Sequence, residues 1–463
     1  MTVRSRFAPS PTGSMHIGNL RTALYAWLYA RKMKGVFILR IEDTDRERST
    51  DQAIQVILDS MQWLHLTYDE GPFYQTKRMD RYHEIIDQLL KSGHAYRCYC
   101  SKERLEQLRA DQMKNKQKPR YDRCCRELKE KKEGSFVIRF RPPDAGFIRF
   151  DDGVRGLVEF QNSELDDLVL VRSDGTPTYN FAVVVDDVDM KVTHVIRGAD
   201  HINNTPRQIN IFNALNMQPP IYVHLPMILG NDGKRLSKRH GALGVLQYRE
   251  EGFLPAALLN YLMRLGWSHG DQEIFSMEEM IEFFDFNKLQ KSPATFDPDK
   301  LSWLNQHYLK TLPTAVVAKE LQWQMDRKQI DVSAGPALEE VVRVQAERCK
   351  TLSEMAEKSR YFYEEVTQYD EQAASKHLTP DIKPVLQEIA TQLAQLPAWE
   401  KEAIHHVIIA VSEARQLKLG KVAQPIRVAM TGNTISPPID ETLALMGRER
   451  TVERLKRAMA HIL

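Results

Sequence analysis

The sequence predicts an α/β protein: a doubly wound parallel sheet, interrupted by an inserted α+β domain and followed by an all-α C-terminal region. Three observations predict it. A strand, a helix and a second strand follow one another within about forty residues, which is a βαβ unit and calls for a parallel sheet. A cysteine-containing basic stretch then breaks that pattern between roughly residues 75 and 180, before it resumes. Beyond about residue 315 strand patterns nearly vanish and amphipathic helical spacing takes over.

Taken in order, residues 3–8 read as a short strand that Pro9 and Pro11 force out of the sheet. Residues 16–33 place Leu20, Leu24 and Trp27 or Leu28 at helical spacing, with Gly35 as the stop. GVFILRIEDTD resumes a buried strand with acidic residues at its C-terminal end. The stretch 101–133 carries twelve Lys/Arg against seven Asp/Glu, and short turn-broken strands (SFVIRF, LDDLVLVRSDG) follow it. The α/β pattern returns with THVIRG, a helix opening at Thr205-Pro206 with Gln208 as capping partner, and IYVHLPMILG. PALEEVVRVQAERCKTLSEMAEKSRYFYEEV and WEKEAIHHVIIAVSEARQLKLG then read as amphipathic helices.

Composition sets the class. At 463 residues, 42% hydrophobic and 27% charged, the chain is long enough for two to four domains and is not disordered. Lys+Arg 64 against Asp+Glu 62 leaves nucleic acid undecided, because a basic face can hide inside a balanced total. Cys98, Cys100, Cys124 and Cys125 crowd together, with only Cys349 elsewhere, which reads as metal binding before disulfides. No apolar run is long enough to cross a membrane, and MTVRSRFAPSP offers charge and proline where a signal peptide needs apolar residues. A cytoplasmic protein without membrane partners is expected.

Two constellations carry chemistry. APSPTGSMHIGN puts His16 and Gly18 at a helix opening, just past the C-terminal edge of a parallel strand, where ligands bind and helix N-termini favour phosphate. His16 can donate to a phosphate oxygen, while Gly18 lets a flat base approach the backbone. About 220 residues on, GKRLSKR sets Lys234 and Lys238 four apart in a loop able to close over a polyphosphate. Neither GxxxxGKS/T nor GxGxxG occurs, so a nucleotide here would be held by neither a P-loop nor a dinucleotide fingerprint.

This pair resembles the HIGH and KMSKS signatures of class I aminoacyl-tRNA synthetases. RFAPSPTGSMHIGNLRTAL, RIEDTD, PTYNFAVVVDD, HVIRG with DHINNTPRQ, and KRLSKRHGA resemble the glutamyl-tRNA synthetase family in particular, and AQPIRVAMTGNTISPPIDETLALMG extends the likeness to the C-terminal part. The resemblance implies a Rossmann-like catalytic domain in two halves, 1–75 and 181–240. Between them lies an acceptor-binding insertion at 76–180, and after them a stem-contact helical fold at 241–314 and an all-helical anticodon-binding region at 315–463. It implies activation of L-glutamate by ATP with Mg2+ to glutamyl-adenylate, then transfer to the 3′-terminal adenosine of tRNA(Glu), by a monomer. The substrate's own carboxylate attacks the α-phosphorus, so the site has to position anions and stabilise charge rather than supply a nucleophile.

By the same resemblance, His16, Lys234 and Lys238 are catalytic. Gly13, His16, Gly18, Asp200, His201, Lys234, Ser237 and Lys238 would hold ATP. Arg6 would read the side-chain carboxylate and Arg197 the α-carboxylate side. Tyr179 would hydrogen-bond, and Ser10 and Glu42 would hold the amino group. Bidentate arginine–carboxylate pairs suit a diacid. Trp303, in LSWLN, is expected in the core. Alternatives are a non-discriminating synthetase that also charges tRNA(Gln), and a small-molecule nucleotidylyltransferase that uses no tRNA.

Two departures stand out. Ala199 follows the glycine of HVIRG where many relatives are acidic, and activity is expected to survive. Cys98, Cys100 and Cys125 match the spacing of a structural Zn2+ site, but the family's histidine position holds Glu127, leaving Glu127, Cys124 or Tyr121 as fourth ligand.

Overall fold

The computed structural model describes residues 2–13, 15–128, 132–236 and 243–462. The chain divides into two compact units: Met1–Gln247 with Leu258–Pro298, and Tyr248–Ala257 with Asp299–Leu463.

Among its described residues the first unit has twelve strands: β1 Arg4–Phe7, β2 Val36–Ile41, β3 Glu70–Tyr74, β4 Ala95–Cys98, β5 Val137–Phe140, β6 Phe147–Asp152, β7 Gly156–Gln161, β8 Val169–Val171, β9 His194–Gly198 and β10 Ile221–Leu225, and two short ones, β11 Ile228–Leu229 and β12 Ala294–Thr295, that pair with each other. Seven of them form one sheet in the order β3-β2-β1-β9-β10-β6-β7. All neighbours in it are parallel except the β6–β7 hairpin. The winding reverses between β1 and β9, and this switch point opens the crevice where ligands of such sheets bind. Burial explains the composition of β2: Phe37 through Ile41 are all buried, so the strand is apolar throughout except for Arg40.

Helix α1 (Ile17–Lys32) packs on β1 and β9 with Leu20, Leu24 and Leu28 fully buried. Helices α2 (Asp51–Trp63), α3 (Met79–Lys91), α4 (Lys102–Lys114), α5 (Tyr179–Asp189) and α6 (Thr205–Ala214) follow. The valine run of α5 favours a strand by propensity. It is helical because Phe181, Val184 and Val185 pack with Tyr82, Ile86 and Phe212 in one core. Helix α6 opens at Thr205 with Pro206 in its first turn, as expected, but neither Thr205 nor Gln208 caps it; both side chains are bound to Arg197 instead.

Within the stretch read as an insertion, β4, β5 and β8 form a separate antiparallel sheet. Residues 147–161 do not stay there. The β6–β7 hairpin joins the main sheet, with Tyr222 of β10 opposite Asp152.

The second unit is helical and has no strand among its described residues. Leu338–Gln345, Leu352–Ser359 and Lys401–Ala414 are helices inside the two segments with amphipathic spacing. Trp303 is half exposed, at 50%, and is not a core residue: its helix buries Leu301, Leu304, Asn305 and Tyr308 and turns Trp303 outward.

Candidate active site

The C-terminal ends of β1 and β9, the opening of α1 and the chain after β10 enclose a cavity of about 490 Å³. Arg6, Ser10, His16, Gly18, Glu42, Tyr179, Arg197, Asp200 and His201 all line it. Residues spread over almost two hundred positions are brought together because two neighbouring strands end there.

His16 caps α1 in an extended conformation, and its Nδ1 accepts from the backbone N–H of Gly18 (3.1 Å) and Asn19 (3.3 Å). An accepting Nδ1 leaves the ring proton on Nε2, the nitrogen free to donate to a ligand. Desolvation, and after it the Arg235 guanidinium, hold His16 below the ordinary imidazole range, so it is neutral at pH 7. Gly18 is required by this ring as well as by any base: a Cβ there would lie 2.9 Å from His16 Cε1 and 3.0 Å from Nδ1.

The arginines differ in their surroundings. Arg6 is buried and donates from Nε to Asp187 Oδ1 (3.3 Å), which Arg40 Nη1 also binds (2.7 Å). Burial alone would raise Asp187, but Arg6 and Arg40 outweigh it and keep this carboxyl below its ordinary range. Arg40 also pairs with Glu42 (3.2 Å). Burial pushes Glu42 up, and Arg40 and Arg6 offset this only in part. Among the described residues Arg197 pairs with no carboxylate. It donates from Nε to His224 Nε2 (3.1 Å), from Nη1 to Gln208 Oε1 (2.9 Å) and from Nη2 to Thr205 Oγ1 (2.8 Å). Tyr179 Oη lies 3.1 Å from His201 Nδ1, and burial, then Arg197, push that imidazole down to about 4. The cavity thus presents two buried guanidiniums, a neutral imidazole donor and a tyrosine hydroxyl to an anionic ligand.

The remaining site residues lie elsewhere or out of view. Gly13 is exposed and does not line the cavity. Lys234 is 82% exposed and faces Asp232 (3.9 Å), while its neighbours Arg235 and Leu236 reach the cavity and Arg235 pairs with Asp200 (3.7 Å). Ser237 and Lys238 fall outside the described residues. Sequence reasoning missed Arg40, Asp187, His224, Asp152 and Arg235. A charge in the middle of VFILRI and a paired aspartate in an apolar helix were available signals for the first two.

Away from this cavity, Cys98, Cys100 and Cys125 bring their sulfurs within 4.8 Å of one another, a donor set that fits zinc. Tyr121 Oη is 3.3 Å from Cys98 Sγ and 3.7 Å from Cys100 Sγ, and Cys124 Sγ is 3.3 Å from Cys100 Sγ. Glu127 is turned out, paired with Arg141 at 3.1 Å, which leaves Tyr121 or Cys124 as the nearer fourth donor. Burial would raise Cys125, but hydrogen bonds led by the Tyr121 hydroxyl outweigh it and bring the thiol down to about 7, which favours the thiolate a metal requires.

A split parallel sheet with a histidine-capped helix at its switch point and a helical C-terminal unit defines a class I aminoacyl-tRNA synthetase. Comparison with known proteins agrees: residues 2–303 match the catalytic domain of "tRNA synthetases class I (E and Q)", and residues 306–459 match an anticodon binding domain. The chain is 60% identical to a glutamate–tRNA ligase of Coxiella burnetii over 99% of its own length and 98% of the relative's. It is 58% identical to one of Alkalilimnicola ehrlichii over the same shares. The crystal structure of a glutamate tRNA ligase from Elizabethkingia meningosepticum in complex with its amino acid superposes over 100% of both chains, with TM-score 0.84 and 32% identity. The chain belongs to the glutamate–tRNA ligase family.

Proposed function

We propose that the protein activates L-glutamate with ATP to glutamyl-adenylate and transfers the glutamyl group to the 3′-terminal adenosine of tRNA(Glu). The observation that carries this reading is the convergence of Arg6 and Arg197 on the cavity that His16 also lines, which suits a diacid held beside a triphosphate.

In the proposed mechanism Arg6 binds the side-chain carboxylate and Arg197 the α-carboxylate side, with Tyr179 as a further hydrogen-bond donor. Ser10 and Glu42 hold the ammonium. His16 donates from Nε2 to the phosphates, joined by Gly18, Asp200 and His201 on the ATP side. Lys234, Ser237 and Lys238 belong to the loop expected to neutralise the departing pyrophosphate, and Gly13, in the segment before α1, is assigned to the ATP side. Mg2+, arriving with ATP, would screen the phosphates. Zn2+ on Cys98, Cys100 and Cys125 would be structural, stabilising the insertion without entering the reaction.

The reading extends to the domains: an acceptor-binding role for 76–180, a stem-contact role for 241–314 and anticodon reading for 315–463. A cytoplasmic monomer completes it. No helix among the described residues is long and apolar enough to cross a membrane. The test is charging of separately prepared tRNA(Glu) and tRNA(Gln) with labelled glutamate. Charging of tRNA(Glu) alone is expected. Charging of both makes the enzyme non-discriminating, and pyrophosphate exchange by glutamate without any tRNA favours a nucleotidylyltransferase.

A further inference from the structure

We infer that Asp152 and His224 are positioning residues for Arg197: they fix the imidazole tautomer that lets this guanidinium keep its charge for a substrate carboxylate. The inference rests on the proposed role of Arg197 in holding glutamate.

Arg197 is held on three sides by neutral acceptors, His224, Gln208 and Thr205, which leaves one N–H on each Nη for a ligand. Gln208 donates its amide N–H to Asn180 Oδ1 (2.9 Å), so its oxygen has to face Arg197. The one carboxylate behind this cage, Asp152, touches the far nitrogen of the imidazole: His224 Nδ1 lies 2.6 Å from Asp152 Oδ2, and both side chains are wholly buried. Asp152 is itself pinned, its Oδ1 accepting from the backbone N–H of Val154 and Arg155 at 3.0 Å each. A carboxylate accepts only, so Nδ1 carries the proton and Nε2 presents a lone pair to Arg197 Nε. Thr205 Oγ1 also lies 3.1 Å from Nε2, so its hydroxyl can only share that single lone pair with Arg197 Nε–H.

Arg6 is oriented differently, by Asp187, a carboxylate it shares with Arg40. A carboxylate bound to Arg197 alone would offset its charge in full. The interposed neutral ring orients the guanidinium without doing so.

Asp152→Asn would act as a tautomer switch. Asp152 Oδ2 also accepts the backbone N–H of His224 (3.1 Å), so an amide that keeps its oxygen on the Val154 and Arg155 N–H groups loses that bond and aims an N–H at His224 Nδ1, moving the ring proton to Nε2 against Arg197. We expect Asp152→Asn and His224→Leu to raise the glutamate KM by about tenfold to a hundredfold, the scale of losing one hydrogen bond to a charged group. The ATP KM should stay within about twofold. His224→Gln, whose amide oxygen can still accept from Arg197, should recover most of the loss, which filling the space alone would not do. Arg197→Ala is the control for the underlying reading. If it loses glutamate affinity while folded Asp152→Asn and His224→Leu do not, the positioning role is overturned and the reading of Arg197 stands. If Arg197→Ala leaves the glutamate KM unchanged, that reading falls. Should Asp152→Asn fail to fold, the two His224 variants decide: equal glutamate KM values for folded Gln and Leu overturn the proposal.

Discussion

Replacing Gly18 by alanine tests whether the imidazole of His16 has to sit where the structure puts it. The new Cβ would lie 2.9 Å from Cε1 and 3.0 Å from Nδ1, closer than side chains tolerate, so the ring must rotate away. Rotation breaks both bonds from the Gly18 and Asn19 N–H groups to Nδ1. A lost N-cap costs about 1 kcal/mol, and in a unit of this size that lowers Tm by about 2 °C. The same rotation turns Nε2 away from the phosphates, and loss of one such donor lowers the rate about 10²–10³-fold. Single-turnover formation of glutamyl-tRNA, read beside a thermal melt, separates the two effects. A Gly18→Ala enzyme that melts slightly earlier yet charges at the parental rate would refute a phosphate role for His16 and leave it a helix cap. Gly13→Ala is the companion measurement: its Cβ meets nothing within 4 Å, so any loss of rate there comes from crowding the ligand and not the protein.

Three further predictions concern charge and metal. Arg40 is wholly buried against Glu42, Asp186 and Asp187; Arg40→Met leaves Asp187 to Arg6 and Asp186 to Arg78 but takes from buried Glu42 its Arg40 partner, and should cost about 3–5 kcal/mol by urea unfolding; a loss below about 1 kcal/mol would contradict the network. His16, His194, His201 and His224 all sit below the ordinary imidazole value of 6.5, chiefly through desolvation, His201 at about 4. The folded chain therefore binds fewer protons than the unfolded one in that window, so the stability contribution is complete above 6.5 and is lost as pH falls towards 4. Urea midpoints at several pH values should show this, and His201→Asn should flatten the slope. Protein purified without chelators should carry about one zinc per chain. Glu127→Gln should keep it and Cys125→Ser should lose it; metal loss from Glu127→Gln would reinstate Glu127 as a ligand.

The sheet domain was legible because its signals are local. Proline ends β1, an apolar run broken only by Arg40 makes β2, and HVIRG announces β9. The cavity residues were legible from motif likeness, and the structure gathers Arg6, His16, Tyr179 and Arg197 around one space. What stayed hidden depends on pairing across long separations. Along β6 exposed positions alternate with buried or half-buried ones, β7 is exposed or half-buried throughout, and nothing local says which sheet the hairpin joins. The aromatic bulk of Trp303 suggested a core position, but helical spacing sets it beside a face already filled by Leu301, Leu304 and Tyr308. Thr205 and Gln208 have the spacing of a cap, and only Arg197, on the separate strand β9, reveals their use.

The hairpin also bears on how freely this protein can be cut and recombined. Removing residues 76–180 as a cassette would strip β10 of its neighbour and leave a bare strand edge, a template for aggregation. It would also take Asp152 with it. A smaller derivative would have to retain 147–161, so the parallel sheet is not isolated by simple excision.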